Sequence, residues 1–239
     1  MMGSTTDGDM NGGWFLGRRH FVALGVGAGT GAVSGATAWA QAAPTVATDG
    51  KRKAPARIVV LGDSLSAEYG LRRGTGWVAL LEKKLEQEAI AATVINASVS
   101  GDTTAGGRAR LTPLLAQHHP TVLVIELGGN DALRGLPLQA TQDNLAQMTR
   151  QAQRAGARVL LVGMQVPPNY GASYASRFAD LFAQVARANQ AALVPFLLKG
   201  VADGDDPLRL FQSDRIHPTA EAHPIILNNI WPALRKLLP

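Results

Sequence analysis

The sequence predicts an α/β domain, a three-layer α/β/α sandwich around a five-stranded parallel sheet in flavodoxin-like order. Two observations carry that expectation. Short β-branched apolar runs alternate with longer segments at helical spacing, the pattern of strand-helix-strand units. Runs such as Val122-Leu123-Val124-Ile125 are also apolar without interruption, so both of their faces are buried and helices must cover the sheet front and back. A chain of 239 residues, 46% hydrophobic and 17% charged, has the profile of one soluble globular domain.

Taken in order, residues 1–42 read as a cleaved export signal of the twin-arginine type. Arg18-Arg19 precede an uncharged, Gly- and Ala-rich run from Phe21 to Ala38, and Ala38-Trp39-Ala40 and Ala40-Gln41-Ala42 each form an A-x-A cleavage site. That reading makes the export machinery a partner and places the mature chain in the periplasm or outside a bacterial cell. The same run is too short and too rich in glycine for a good membrane span, so no stable span is expected in the mature form. Residues 43–56 are small, polar and basic without periodicity and read as a linker, leaving 57–239 as the domain.

Within the domain, strands are expected at Arg57–Leu61, Thr93–Ala97, Val122–Leu127, Arg158–Gly163 and Ala192–Phe196. Helical spacing appears where Trp77, Leu81 and Leu85 share one face, and again over Leu136–Ala155, Tyr174–Ala191 and Thr219–Leu237. In open sheets of this kind ligands collect at the carboxyl ends of the strands, so the residues just after each strand are the ones to interrogate.

The first strand runs into Gly62-Asp63-Ser64-Leu65, which sets Ser64 on a tight turn. A serine there serves either as a helix cap or as a nucleophile. The second and third strands lead to Ser100-Gly101-Asp102 and Gly128-Gly129-Asn130-Asp131. Gly101 lets a backbone N–H approach a ligand closely and Asn130 offers an amide donor, so both can point at one developing oxyanion. A turn glycine and a helix cap are the plainer roles for these two. Near the end, Asp214-Arg215-Ile216-His217-Pro218 puts a carboxylate three residues before a histidine. That spacing lets it reach the imidazole Nδ1 and fix the tautomer in which Nε2 can take a serine proton. Pro218 suits a helix start.

Other chemistries are poorly served. The net charge is +5, but the basic residues are scattered and the aromatic share is 5%, which argues against a nucleic-acid groove. No G-x-S-x-G elbow, P-loop or G-x-G-x-x-G turn occurs. There is no cysteine and no H-E-x-x-H ligand set, so neither a metal nor any other cofactor is expected, and His118, His119 and His223 read as surface or packing residues.

Gly-Asp-Ser-Leu near the domain start, a glycine in the second block, Gly-Gly-Asn-Asp in the third and Asp-x-x-His-Pro near the end resemble the SGNH/GDSL hydrolase superfamily. Further stretches are similar to its bacterial thioesterase I/protease I/lysophospholipase L1 and arylesterase subgroup. The resemblance spans about 57–238 and implies Ser64 as nucleophile, His217 as general base and then acid, and Asp214 as its orienter. It also implies an oxyanion hole formed by the N–H groups of Ser64 and Gly101 and the side-chain amide of Asn130, with Asp63 a structural partner of the loop. The chain departs from that pattern at Glu68, where a small residue is expected, and at Arg215, where glycine is expected.

The expected activity is therefore that of a serine esterase acting through an acyl-enzyme on aryl and short- to medium-chain acyl esters, with lysophospholipids and thioesters as further substrates. Glu68, Pro168 and Tyr170 are the candidate substrate-contacting residues, the latter two in the loop after the fourth strand. Two alternatives stand beside it: an O-acetyl sugar or cell-wall deacetylase, and a catalytically silent carbohydrate- or lipid-binding protein on the same fold. The second is disfavoured because serine, histidine and asparagine are all present.

Overall fold

The computed structural model describes residues 54–239, so the leader and most of the linker lie outside the described residues. Five strands, β1 (Ala56–Gly62), β2 (Ala92–Asn96), β3 (Val122–Glu126), β4 (Arg158–Val162) and β5 (Ala192–Val194), form one parallel sheet in the order β2-β1-β3-β4-β5. That is the flavodoxin-like order, with its reversal of direction between β1 and β3. Six helices accompany it: α1 (Trp77–Gln87), α2 (Thr104–His118), α3 (Gly129–Leu133), α4 (Leu138–Arg154), α5 (Ala172–Ala188) and α6 (His223–Arg235).

Strand alternation sends β1 residues Ile58 and Val60 to one face, where Trp77 and Leu81 of α1 and Ile226 and Ile230 of α6 close over them. Val59 and Leu61 face the other layer, built from α2, α4 and α5 through Leu111, Leu145, Met148, Phe178 and Phe182. Each of these buried side chains contributes about 1.5–3 kcal/mol of hydrophobic stabilisation, and the two layers together lock the sheet that carries the site.

Several element bounds shift by one to three residues from those expected, and the more informative differences are these. β1 begins at Ala56, one residue earlier, and Ala56 is already core. β5 stops at Val194 because Pro195 has no N–H to continue a ladder. The expected helix over Thr219–Leu237 is a single 3-10 turn, Ala220–Ala222, followed by α6; Pro224, not Pro218, occupies its first turn. Pro218 instead bridges to Phe211 in an antiparallel pair. α2 was not expected at all.

His223 is 2% exposed, and its Nδ1 accepts the N–H of Trp77 at 2.9 Å, giving the start of α1 the acceptor that no local side chain supplies. Burial depresses its pKa to about 4. Because the folded value lies below the unfolded one of about 6.5, acidification from pH 6.5 towards 4 protonates the unfolded chain first and drains stability, by about 2–3 kcal/mol at pH 4.5. Asp63, raised to about 6 by burial, acts in the opposite sense over part of that window. The contribution is therefore read as a difference: between neutral pH and pH about 4.5, urea unfolding should show His223→Gln losing about 2–3 kcal/mol less than wild type. Parallel losses would contradict it.

Candidate active site

The register sets the carboxyl ends of β1 and β3 level, Gly62 opposite Glu126, with β2 ending two residues earlier, Asn96 opposite Val60. The loops that follow β1, β2 and β3 therefore emerge side by side. Ser64 sits two residues beyond β1 in a turn pinned by bonds from the N–H groups of Ser66 and Ala67 to the Asp63 carbonyl.

Asp214 and His217 arrive from a loop that folds back on itself, with Gln212 N–H donating to the His217 carbonyl at 2.7 Å and Thr219 N–H to the Leu210 carbonyl at 2.8 Å. The Gln212 amide ties this loop to the nucleophile turn, donating to the carbonyls of Tyr69 (2.9 Å) and Pro218 (3.0 Å). The consequence is a continuous line: Ser64 Oγ lies 2.9 Å from His217 Nε2, and His217 Nδ1 lies 2.7 Å from Asp214 Oδ2. The remaining Asp214 oxygen accepts the N–H groups of Ile216 (2.9 Å) and His217 (3.0 Å). These two backbone bonds, His217's first, hold the Asp214 pKa down at about 2, so the carboxylate keeps its charge at any ordinary pH. Tyr69 covers the imidazole with its ring centroid 4.3 Å away.

Gly101 adopts a φ of +79°, a left-handed conformation that glycine takes without cost, and the Arg134 guanidinium holds its carbonyl at 2.7 Å. Among the described residues the N–H groups of Ser64 and Gly101 have no protein acceptor. The Asn130 amide donates to Asp63 Oδ2 at 3.0 Å, which orients it and leaves its second hydrogen for another acceptor. Asp63 is buried, and its other oxygen accepts the Leu65 N–H at 3.0 Å, as a structural partner of the loop would.

Three further residues were expected to contact substrate: Glu68, Pro168 and Tyr170. Both Glu68 oxygens are engaged by its own loop, by the N–H groups of Gly74 (3.0 and 3.1 Å) and Gly76 (2.7 Å), so its carboxylate clasps the turn. Pro168 and Tyr170 bound a 3-10 turn after β4. Tyr170 stacks on Tyr174 at 6.1 Å, and the series continues through Phe178 to Phe182, which packs under Gly128 beside the Asn130 loop.

Sequence reasoning missed three contributors. Arg110 pairs with Asp102 at 2.7 Å and also bonds the carbonyls of Ala97 and Gly62, joining the Gly101 loop to the nucleophile strand. Asp131, 2% exposed, takes hydrogen bonds from the Thr104 backbone (2.9 Å), the Thr104 hydroxyl and Thr141 (3.1 Å), fastening α2 and α4 beneath Asn130. Tyr69 is the third.

Both departures from the family pattern have one physical meaning. Glu68 and Arg215 have φ values of 59° and 58°, left-handed conformations that cost an L-residue about 1 kcal/mol. Glu68 offsets this through its bonds to the loop. Arg215→Gly is expected to stabilise the fold by about 0.5 kcal/mol in urea unfolding, the removed strain exceeding the added entropy of the unfolded glycine. A loss of stability would show that the arginine side chain contributes more than its backbone costs.

A doubly wound sheet whose carboxyl edge carries a Ser-His-Asp line beside amide donors is the architecture of a carboxylic ester hydrolase. The chain belongs to the GDSL-like Lipase/Acylhydrolase family, whose pattern matches residues 60–225. It is 50% identical to "Esterase TesA" of Pseudomonas aeruginosa over 181 residues, 76% of this chain and 89% of that one. It is 40% identical to an "Arylesterase" of Vibrio mimicus over 186 residues, 78% and 92% of the two chains. It is 38% identical to "Thioesterase 1/protease 1/lysophospholipase L1" of Escherichia coli over 181 residues, 76% and 84%. Among solved structures, the crystal structure of TesA superposes with a TM-score of 0.73 at 49% identity, covering 76% of this chain and 99% of that one. The psychrotrophic esterase EstA from Pseudoalteromonas sp., in a form inhibited by monoethylphosphonate, gives 0.71 at 40% identity, covering 76% and 97%. Among the described residues no helix is long and apolar enough to cross a membrane.

Proposed function

We propose that the mature chain is an exported serine esterase that hydrolyses aryl and short- to medium-chain acyl esters through an acyl-enzyme, with lysophospholipids and thioesters within its range. The observation that carries this reading is the unbroken line from Ser64 Oγ through His217 to Asp214, at 2.9 and 2.7 Å. Ser64 Oγ attacks the acyl carbon while its proton passes to His217 Nε2, and the carbonyl oxygen becomes an oxyanion within reach of the Ser64 and Gly101 N–H groups and the Asn130 amide. Collapse expels the alcohol or thiol, which takes the proton from His217. Water then repeats the sequence and releases the acid. The monoethylphosphonate form of EstA supports a nucleophile open to phosphorus reagents in a relative.

Hydrolysis of p-nitrophenyl esters from acetate to palmitate, by wild type and Ser64→Ala, tests the proposal. Turnover that varies with chain length and vanishes in the variant is the expected result. Equal, negligible rates would turn attention to a binding protein or a dedicated sugar deacetylase. Export rests on residues 1–42 and is tested by fractionating cells that express the full chain, with and without Arg18-Arg19.

A further inference from the structure

A buried ionisable side chain with no part in the chemistry above ends β3. Glu126, the last residue of β3, is 3% exposed and lies opposite Gly62 in the sheet. Its Oε2 accepts the Ser66 hydroxyl at 2.7 Å and the Asp63 N–H at 3.4 Å. The Ser66 oxygen in turn accepts the Trp77 indole N–H at 3.1 Å while its own hydrogen goes to Glu126. Asp63, the neighbour of Ser64, accepts on both of its own oxygens, from Leu65 N–H and from the Asn130 amide, each at 3.0 Å. Two adjacent carboxyls in an apolar interior do not both ionise, and Asp63 is the one whose bonds suit a carboxylate. The proton therefore belongs to Glu126. Burial, followed by the charge of Asp63, drives its pKa well above the carboxylate range. The other titratable or charged groups near the pair are His217 and Asp102, beside Asp63, and Arg110, which bonds the Gly62 carbonyl.

Building on the reading of Asn130 as an oxyanion donor, we propose that Glu126 is a positioning residue, a neutral carboxylic acid that fixes Ser66 and Asp63 and, through Asp63, aims the Asn130 amide. It touches no reacting atom. Its effect reaches the reaction only through the placement of that amide and of the turn that carries Ser64.

Glu126→Gln keeps a neutral head with one acceptor and a donor, whereas Glu126→Leu keeps only bulk. Rates are measured per active serine, counted by stoichiometric labelling with a phosphonate, so that misfolded material does not enter. The expected result is that Glu126→Leu loses about ten- to a hundredfold in kcat with KM little changed, and that Glu126→Gln restores most of it. Infrared difference spectra at about pH 8, above the range in which Asp63 titrates, should show a protonated-carboxyl band in wild type that Glu126→Gln lacks. A wild-type kcat per labelled serine in Glu126→Leu would overturn the proposal, as would a glutamine variant as slow as the leucine one. If Glu126→Leu does not fold, the infrared band decides alone, and its absence from wild type overturns the proposal. Failure of wild type itself to label would instead overturn the serine-esterase reading on which this rests.

Discussion

Asp214→Asn is expected to lower kcat by about 10⁴-fold while leaving the fold intact. Asp214 Oδ1 is pinned by the N–H groups of Ile216 and His217 at 2.9 and 3.0 Å. Asparagine can satisfy both only by placing its carbonyl oxygen there, which turns its NH2 towards His217 Nδ1. Nδ1 must then accept, the ring proton moves to Nε2, and Nε2 can no longer take the proton of Ser64. The loss is thus one of tautomer as well as of charge, and the preserved backbone bonds are what enforce it. Turnover of p-nitrophenyl butyrate with an unchanged urea midpoint is the check. A loss smaller than about tenfold would mean that Asp214 does not orient the imidazole.

What was legible in the sequence was whatever is encoded locally. The apolar runs gave β1, β3 and β4 within one or two residues, because burial on both faces leaves no other pattern for a central strand, while the half-buried edge strand β2 was found from its shorter β-branched run. α2 was invisible because Gly106, Gly107 and Pro113 are poor helix formers. The structure explains one of them: a Cβ on Gly107 would stand 2.3 Å from Leu127, so glycine is what lets α2 close on the sheet. The same division holds at the site. Ser64, Gly101, Asn130, Asp214 and His217 stand in short blocks with recognisable spacing. Glu126 and Arg110 act through partners remote in sequence, Ser66 sixty residues from Glu126 and Gly62 forty-eight from Arg110. Glu68 and Arg215 were visible as departures, but the left-handed backbone that gives them meaning belongs to the folded chain.

Asn130→Ala is expected to lower kcat by about 10²- to 10³-fold, roughly 3–4 kcal/mol of transition-state stabilisation, with a much smaller change in KM. The amide is fixed before substrate arrives by its bond to Asp63 at 3.0 Å, so little reorganisation is needed when the oxyanion forms. Its removal has a second consequence. Asp63 loses a donor that lowers its pKa, and burial already holds that value at about 6, so the neutral form of Asp63 gains ground in the variant. Two readouts separate the amide's role in catalysis from damage to the nucleophile turn. Phosphonate should still label Ser64 in Asn130→Ala, because the Ser64-His217 contact at 2.9 Å does not involve Asn130. Asn130→Asp should recover nothing, since beside Asp63 its carboxyl either ionises and directs negative charge at the developing oxyanion or shares a single proton with Asp63, leaving no donor for the oxyanion. Full activity in Asn130→Ala would leave the Ser64 and Gly101 N–H groups as the whole oxyanion hole and reduce Asn130 to a fastener of Asp63.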